Sequence, residues 1–364
     1  MLALTIRHFK SGPVGGSAYL VRMSTLPPRP AVRRRPAMTD VAKLAGVSHQ
    51  TVSRVVNGAE NVREETRDRV LAAMRVLDYR PNAAARTLVT GRSGTLGVVS
   101  FDTTLYGPAS TLYGIERAAH EAGYFITIVS LARLDRESVL TAVERLRLQG
   151  ADGILAIAPQ EAAVAALVDL PANVPLVAVE AGPAGAVPVV AVDQFTGAVL
   201  ATRHLLELGH RSVRHVCGPL DWLEARQRAA GWRSALEEAG ANGPTPLIGD
   251  WSPVSGYRLG RQLAQDGAVT AIFVANDQMA LGVLRALHEY GRDVPGEISV
   301  VGFDDIPEAE FFLPPLTTVR QNFDEMGRSS LRVLLDVMRD PESTPPELTV
   351  APELVIRAST AAPV

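Results

Sequence analysis

From Thr95 onward the chain alternates short apolar runs with amphipathic stretches, and the order never breaks. "TLGVVSF", "YFITIVSL", "DGILAIAP", "VPLVAVE" and "PVVAVD" come first, then "SVRHVCGP", "PLIGDW", "TAIFVAN" and "ISVVGFDD". Runs of this kind are the pattern of buried strands. Helical stretches near 109–122, 138–149 and 161–170 separate the early ones. Strict alternation predicts parallel strands joined by right-handed crossovers. The runs fall into two sets broken near residue 193, which predicts an α/β body of two doubly wound parallel sheets. Ligands in such sheets bind beyond the carboxyl ends of the strands, and in a two-lobed body those ends can face one cleft.

Residues 39–79 follow a different pattern, short and helical. In "TDVAKLAGVSHQTVSRVVNG", Thr39 is expected to cap a helix that buries Val41, Ala42 and Ala45. Gly46 supplies the left-handed residue that ends it. Ser48 then caps a second helix burying Val52, Val55 and Val56. Helix, tight turn and helix make a helix-turn-helix head. The outward face of the second helix reads His49, Gln50, Ser53, Arg54 and Asn57. A plain solvent face would be richer in Lys and Glu. Uncharged donors and acceptors of this reach suit base edges in a major groove. A third helix, "REETRDRVLAAMRVLDY", closes a small core with Val70, Met74 and Leu77. Pro81 stops it, and Asn82 caps a short segment running to about Thr90, too short to hold a helix without a partner.

Charge supports the division. Residues 1–92 carry 16 Lys and Arg against 6 Asp and Glu, a balance of +10, while the rest balances at −13. A basic head on an acidic body fits a head that meets a polyanion. Cys217 is the lone cysteine, so no internal disulfide forms and a reducing cytoplasm is expected. No apolar run approaches a membrane span, and the start "MLALTIRHFK" does not read as a signal peptide. Residues 1–37, with "PPRPAVRRRP" and no acidic residue, are expected to be a disordered basic extension, or the product of a start codon placed ahead of Met23 or Met38.

Taken together, "DVAKLAGVSHQTVSRVVNG", "YRPNAAARTLVTG", "GPLDWLEARQRAAGW", "GDWSPVSGY", "VANDQMALG", "ISVVGFDD" and "LPPLTTVRQNF" resemble the lactose repressor (LacI/GalR) family of bacterial transcription regulators, nearest its lactose-type branch. The resemblance runs from about Met38 to about Thr360. It implies a helix-turn-helix domain at 38–80, a hinge helix and linker at 81–92, and a body at 93–360 resembling the two-lobed periplasmic sugar receptors. The first lobe would comprise about 93–192 and 323–350, the second about 193–322 and 351–360. It further implies a homodimer on a near-palindromic double-stranded operator. His49, Gln50 and Arg54 would read bases, while Thr39, Ser48, Thr51 and Asn57 fix the register on the backbone. Asn82 and Ala85 would lie along the hinge helix, with Leu88 as a minor-groove wedge.

In the body the resemblance implies a small-molecule sugar pocket with Arg228, Trp251, Asn276, Asp304, Gln321 and Phe323, and with Leu105 and Pro108 on the first lobe's side. The chain departs from the lactose-type pattern at four of its positions. Phe101 and Glu224 stand where serines are expected, Glu180 replaces an aspartate, and Val192 replaces a phenylalanine. Phe101 and Val192 would exchange an aromatic platform between opposite walls. Added carboxylates repel a phosphorylated ligand, so the expected effector is a neutral sugar or glycoside. After "APELVIRAST" only "AAPV" remains, so a heptad helix joining two dimers is not expected, and a dimer is the expected state.

The function expected is therefore a cytoplasmic repressor of a carbohydrate-utilisation operon, released from DNA by its sugar, with no cofactor or metal. Two variants stay open: a ligand that acts as corepressor, and a sugar-binding receptor without a DNA role. An enzyme is not expected. No Ser-His-Asp grouping, metal-ligand spacing or phosphate loop is present, although Glu180 and Glu224 could in principle form a glycosidase pair.

Overall fold

The structure is a computed structural model, and it describes residues 36–363 apart from 57, 60, 81–86, 88–90, 102, 132, 134, 169–174, 183–186, 242 and 341–346. Most of the expected hinge segment and nearly all of the basic extension lie outside the described residues, as do the individual positions Asn57, Asn82, Ala85 and Leu88. The described chain forms two compact units, divided between Arg86 and Thr87. No helix among the described residues is long and apolar enough to cross a membrane.

The smaller unit holds α1 (Met38–Ala45), α2 (His49–Val56) and α3 (Glu64–Val76). Its core is Val41, Ala42, Ala45, Val52, Val55, Val70 and Ala73, with Met74 and Leu77 packed alongside. Gly46 adopts a left-handed φ of 65°, which ends α1 and returns Val47 N–H to the Ala42 carbonyl at 3.0 Å. Ser48 caps α2, its hydroxyl accepting from Thr51 N–H at 3.1 Å. Thr39 does not cap α1. The cap position is Ala37, and Thr39 lies within the helix. Asp40 takes the capping role by accepting the Ala37 N–H at 2.7 Å, because its carboxylate reaches back one turn toward the positive helix end.

The larger unit begins with β1 (Thr95–Phe101), α4 (Tyr106–Glu121), β2 (Phe125–Leu131), α5 (Arg136–Leu148), β3 (Gly153–Ile157), α6 (Glu161–Val168), β4 (Leu176–Val179) and β5 (Val189–Val192). The chain then passes to α7 (Gln194–Glu207), β6 (Arg214–Cys217), α8 (Leu223–Glu238), β7 (Leu247–Ile248), α9 (Pro253–Gln265), β8 (Ala271–Val274), α10 (Asp277–Glu289) and β9 (Ser299–Val301). After β10 (Thr318–Arg320), α11 (Phe323–Arg339) and β11 (Leu348–Val350) return to the first lobe, and β12 (Glu353–Val355) to the second. The first sheet runs β11-β5-β4-β3-β1-β2 and the second β7-β6-β8-β9, every pairing within them parallel. β10 and β12 pair antiparallel apart from both.

The nine apolar runs all form strands, and the change of sheet falls between Val192 and Gln194. β2 differs from its expected burial. It is an edge strand with Phe125 78% exposed, whereas the central β3 is buried along its whole length. The chain crosses between lobes after β5, after β10 and after β11. The first two crossings bring Gln194 and Gln321 together, Gln194 Nε2 donating to Gln321 Oε1 at 2.9 Å.

Candidate functional site

The first candidate site is the outer face of α2. His49, Gln50 and Arg54 are exposed, Thr51 and Ser53 half-buried, while Val52 and Val55 point inward. The spacing of the inward valines, three residues apart on a 3.6-residue helix, forces the polar side chains onto the opposite face. The Ser48 and Thr51 hydroxyls lie 2.9 Å apart, so the start of α2 is ordered by its own side chains. Thr39 sits one helix earlier, on α1.

The second site is a cleft between the lobes of the larger unit. Leu105, Tyr106 and Pro108 line it from the first lobe, at the start of α4. Trp222, Glu224, Arg228, Trp251, Asn276, Gln278, Asp304 and Gln321 supply the opposite wall and the crossing. Apart from Gln321, which follows β10, these side chains come from loops and helix starts that follow β1, β6, β7, β8 and β9, where parallel sheets place their ligands. The cleft is narrow, with a volume of about 20 Å³. Leu223 N–H donates to the Pro159 carbonyl at 2.9 Å, and Arg226 pairs with Glu161 at 2.5 Å, so the lobes also touch beside the cleft.

Arg228 is the centre of this wall. It lies on α8, 2% exposed. Its Nε donates to Gln194 Oε1 at 2.8 Å and its Nη1 to the Ala275 carbonyl at 2.5 Å. The guanidinium lies 3.9 Å from the centroid of Phe303 and 5.5 Å from that of Trp251. Gln194 continues to Gln321, and Gln321 Nε2 donates to Asp304 Oδ1 at 2.7 Å. Asp304 lies 3.6 Å from Arg228 Nη1, and Glu224 3.9 Å from Nη2. Arg228, Gln194, Gln321 and Asp304 therefore close a ring. At 3.6 and 3.9 Å the two carboxylates attract the guanidinium without a direct hydrogen bond, which leaves its outer N–H groups able to turn to hydroxyls.

Asn276 does two jobs. Its Oδ1 caps α10 by accepting Met279 N–H at 2.9 Å, and its Nδ2 donates to the Trp251 carbonyl at 3.1 Å while the side chain lines the cleft. Trp251 sits edge-on to Trp222 at 5.7 Å, and its indole N–H has no partner among the described residues. Of the five non-glycine residues with positive φ among the described residues, Glu180 (54°), Trp251 (71°) and Asp304 (106°) gather here, a concentration of backbone strain common at ligand sites.

Burial dominates the titration of the acids. It pushes Asp304 up to about 6 against the pull of Arg228 and Gln321. It pushes Glu224 up to about 7, again opposed by Arg228. Glu180, at the end of β4, is pushed up to about 8 by burial and then by the charge of Glu224. Beneath the guanidinium, His215 stacks on Phe273 at 4.7 Å, and burial holds it down at about 4, a neutral ring.

Phe101, Val192 and Phe323 stand behind the lining. Phe101 tilts against Trp222 at 6.4 Å, Phe323 meets the edge of Tyr106 at 5.8 Å, and Val192 is fully enclosed in the first lobe's core. Val192 N–H points at Glu180 Oε2 from 3.5 Å. Sequence reasoning missed Tyr106, Trp222, Gln278 and Gln194. Trp222 stood within a quoted motif, but its pairing with Gln160 of the other lobe has no sequence signature.

Both units have relatives among known proteins. Residues 37–82 match the description "Bacterial regulatory proteins, lacI family", and 202–360 match a periplasmic binding protein-like domain. The HTH-type transcriptional repressor PurR of Haemophilus influenzae is 35% identical, over 88% of this chain and 97% of that protein. The lactose operon repressor of Escherichia coli is 37% identical, over 82% and 83%. Among solved structures, the lac repressor dimer bound to operator and the anti-inducer ONPF has a TM-score of 0.81 at 35% identity, over 90% and 100%. The transcriptional regulator CelR in complex with cellobiose has a TM-score of 0.66 at 32% identity, over 89% and 100%.

Proposed function

Because the chain belongs to the lacI family of bacterial regulatory proteins and is a transcriptional repressor, we propose that it holds a palindromic operator as a homodimer in the cytoplasm and releases it on binding a sugar or glycoside. The observation that carries the effector half is Arg228, buried in the interlobe cleft with its outer N–H groups beside Asp304 and Glu224 and under the Trp251 ring. A forked donor, flanking acceptors and an aromatic face are what adjacent sugar hydroxyls and C–H faces require. Asn276 and Gln321 add amide groups at the same wall. The acids disfavour a phosphorylated or carboxylated ligand.

On the DNA side, His49, Gln50 and Arg54 read bases from α2, Ser53 stands beside them, and Thr39, Ser48 and Thr51 set the register. Asn57, Asn82, Ala85 and Leu88 extend that surface by family resemblance. The edge strand β2, with Phe125 and Ile128 exposed, supports the dimer, since an uncovered apolar edge invites a partner. Sugar binding favours one lobe arrangement over another, and operator release follows from its differential affinity for the two. The operon controlled is one of carbohydrate use.

The test is operator capture followed by release. Full-length protein selects duplexes from a random pool, and the enriched site is titrated with a panel of mono- and disaccharides. A palindrome released by one sugar supports the proposal, and Arg228→Ala then abolishes release while operator binding persists. A palindrome bound more tightly with the sugar reverses the switch into corepression. An enriched site without dyad symmetry overturns the dimer, and an operator unmoved by every sugar overturns the effector class.

A further inference from the structure

Two carboxylates, Glu224 and Asp304, line the cleft beside one guanidinium, and a third, Glu180, lies buried behind them within reach of the charge of Glu224. Glu180 comes from the first lobe at the end of β4, Glu224 from α8, and Asp304 from the segment after β9. Glu180 and Asp304 are each 5% exposed, and the Glu224 side chain 13%. Among the described residues, Arg228 is the one basic side chain that pairs with any of them. The neighbouring groups do not change the count. Asp277 faces Thr318 Oγ1 at 2.6 Å and Ile306 N–H at 2.9 Å, and Asp305 pairs with Arg320 and Arg357. Tyr106, on the facing α4, is held protonated by burial, and His215 and Cys217 beneath the guanidinium are neutral. The wall therefore carries more acid than its own cation offsets, and such groups hold protons unless a positive charge arrives.

A second observation points to a ligand. The indole N–H of Trp251, in a residue 5% exposed that lines the cleft, has no acceptor among the described residues. Buried donors are nearly always satisfied, so this one calls for an oxygen supplied from outside the protein. A bare amine lacks the oxygen, and a neutral sugar lacks the charge.

Resting on the carbohydrate reading of this cleft, we propose that its ligand is an amino sugar, the ammonium seated among Glu224, Asp304 and Glu180 and a sugar oxygen accepting from Trp251. The expected neutral sugar is thereby replaced by one bearing a basic nitrogen. The ammonium takes the place of protons, so binding releases them, and affinity rises with pH until the amine itself titrates. Glu224, where the lactose-type pattern has a serine, is the residue that tips the balance.

The experiment is calorimetric titration of the full-length protein with matched hydroxyl and amine twins: D-glucose and D-glucosamine, D-galactose and D-galactosamine, cellobiose and the β-1,4 glucosamine disaccharide. Expected is an amine twin bound at least about tenfold tighter than its hydroxyl partner. Its advantage should widen between about pH 6 and about pH 7.5, with proton release seen as a buffer-dependent heat. Glu224→Gln should remove most of that advantage, and Glu180→Gln serves where the first variant does not fold. A hydroxyl twin bound equally well or better overturns the amine while leaving the carbohydrate reading intact. No binding by any twin, with the operator still held, overturns the carbohydrate reading and this inference with it.

Discussion

Arg228, the proposed ligand contact, is also held in place by the local structure. Its Nε and Nη1 are committed to Gln194 and Ala275, and Phe303 supports its plane. Arg228→Lys keeps the charge but loses the fork, and is expected to cost about 1–3 kcal/mol of folding stability, read by urea denaturation. The acids around it give a pH signature. Glu180, Glu224 and Asp304 have folded pKa values of about 8, 7 and 6, all above the ordinary carboxylate range. The folded protein therefore holds protons that the unfolded chain has released, and stability falls as pH rises from about 4 to about 8. Glu180→Gln should flatten the upper part of that fall in a thermal-melt series, and an unchanged slope would assign the loss elsewhere. Arg228, Trp251, Asn276 and Asp304, which line the cleft, were legible through the family resemblance of the runs that hold them. Gln194 was not. It looks like an ordinary first-turn residue of α7, and its bond to Gln321 spans 127 positions of sequence.

At the scale of elements, alternation of strand and helix is enough to name two parallel sheets, because crossover chirality leaves few other arrangements. It does not say which strand ends at an edge. β2 has the same apolar composition as the central runs, yet burial is set by neighbours, and β2 has one. Nor does periodicity announce the close approach of α4 and α11, which ties the returning chain to the first lobe. A Cβ placed on Gly114 would lie 2.2 Å from the Phe323 carbonyl oxygen, and one on Gly327 2.1 Å from Gly114 backbone. Backbone cannot yield as a side-chain tip can. Gly114→Ala is expected to destabilise the body by about 1–3 kcal/mol, read as a lowered denaturation midpoint. In the head, Ser48→Ala removes the α2 cap and should cost about 1 kcal/mol. Thr39→Ala should cost no capping energy, since Ala37 and Asp40 end α1.

Across the whole molecule, two compact units of very different size share one chain. The small one closes its core with seven buried residues on three short helices and a few partly buried ones packed against them. Domains of this size bury a small fraction of their surface and are marginal. The large one has two sheets, each covered by helices on both faces, and contains every residue of the interlobe cleft. Scanning calorimetry of the full-length protein should therefore show two transitions, the weaker one belonging to the head. A ligand that binds only the folded body stabilises it by about 2.7 kcal/mol at a hundred times its dissociation constant. Saturating effector should then raise the body transition by several degrees and leave the head transition where it was, because the head carries none of the cleft. Operator DNA should do the reverse at low salt, raising the head transition, and the effect should fade as added salt removes the gain from counterion release. If the effector alone moved the head transition by as much as the body, the cleft between the lobes would not be where it binds.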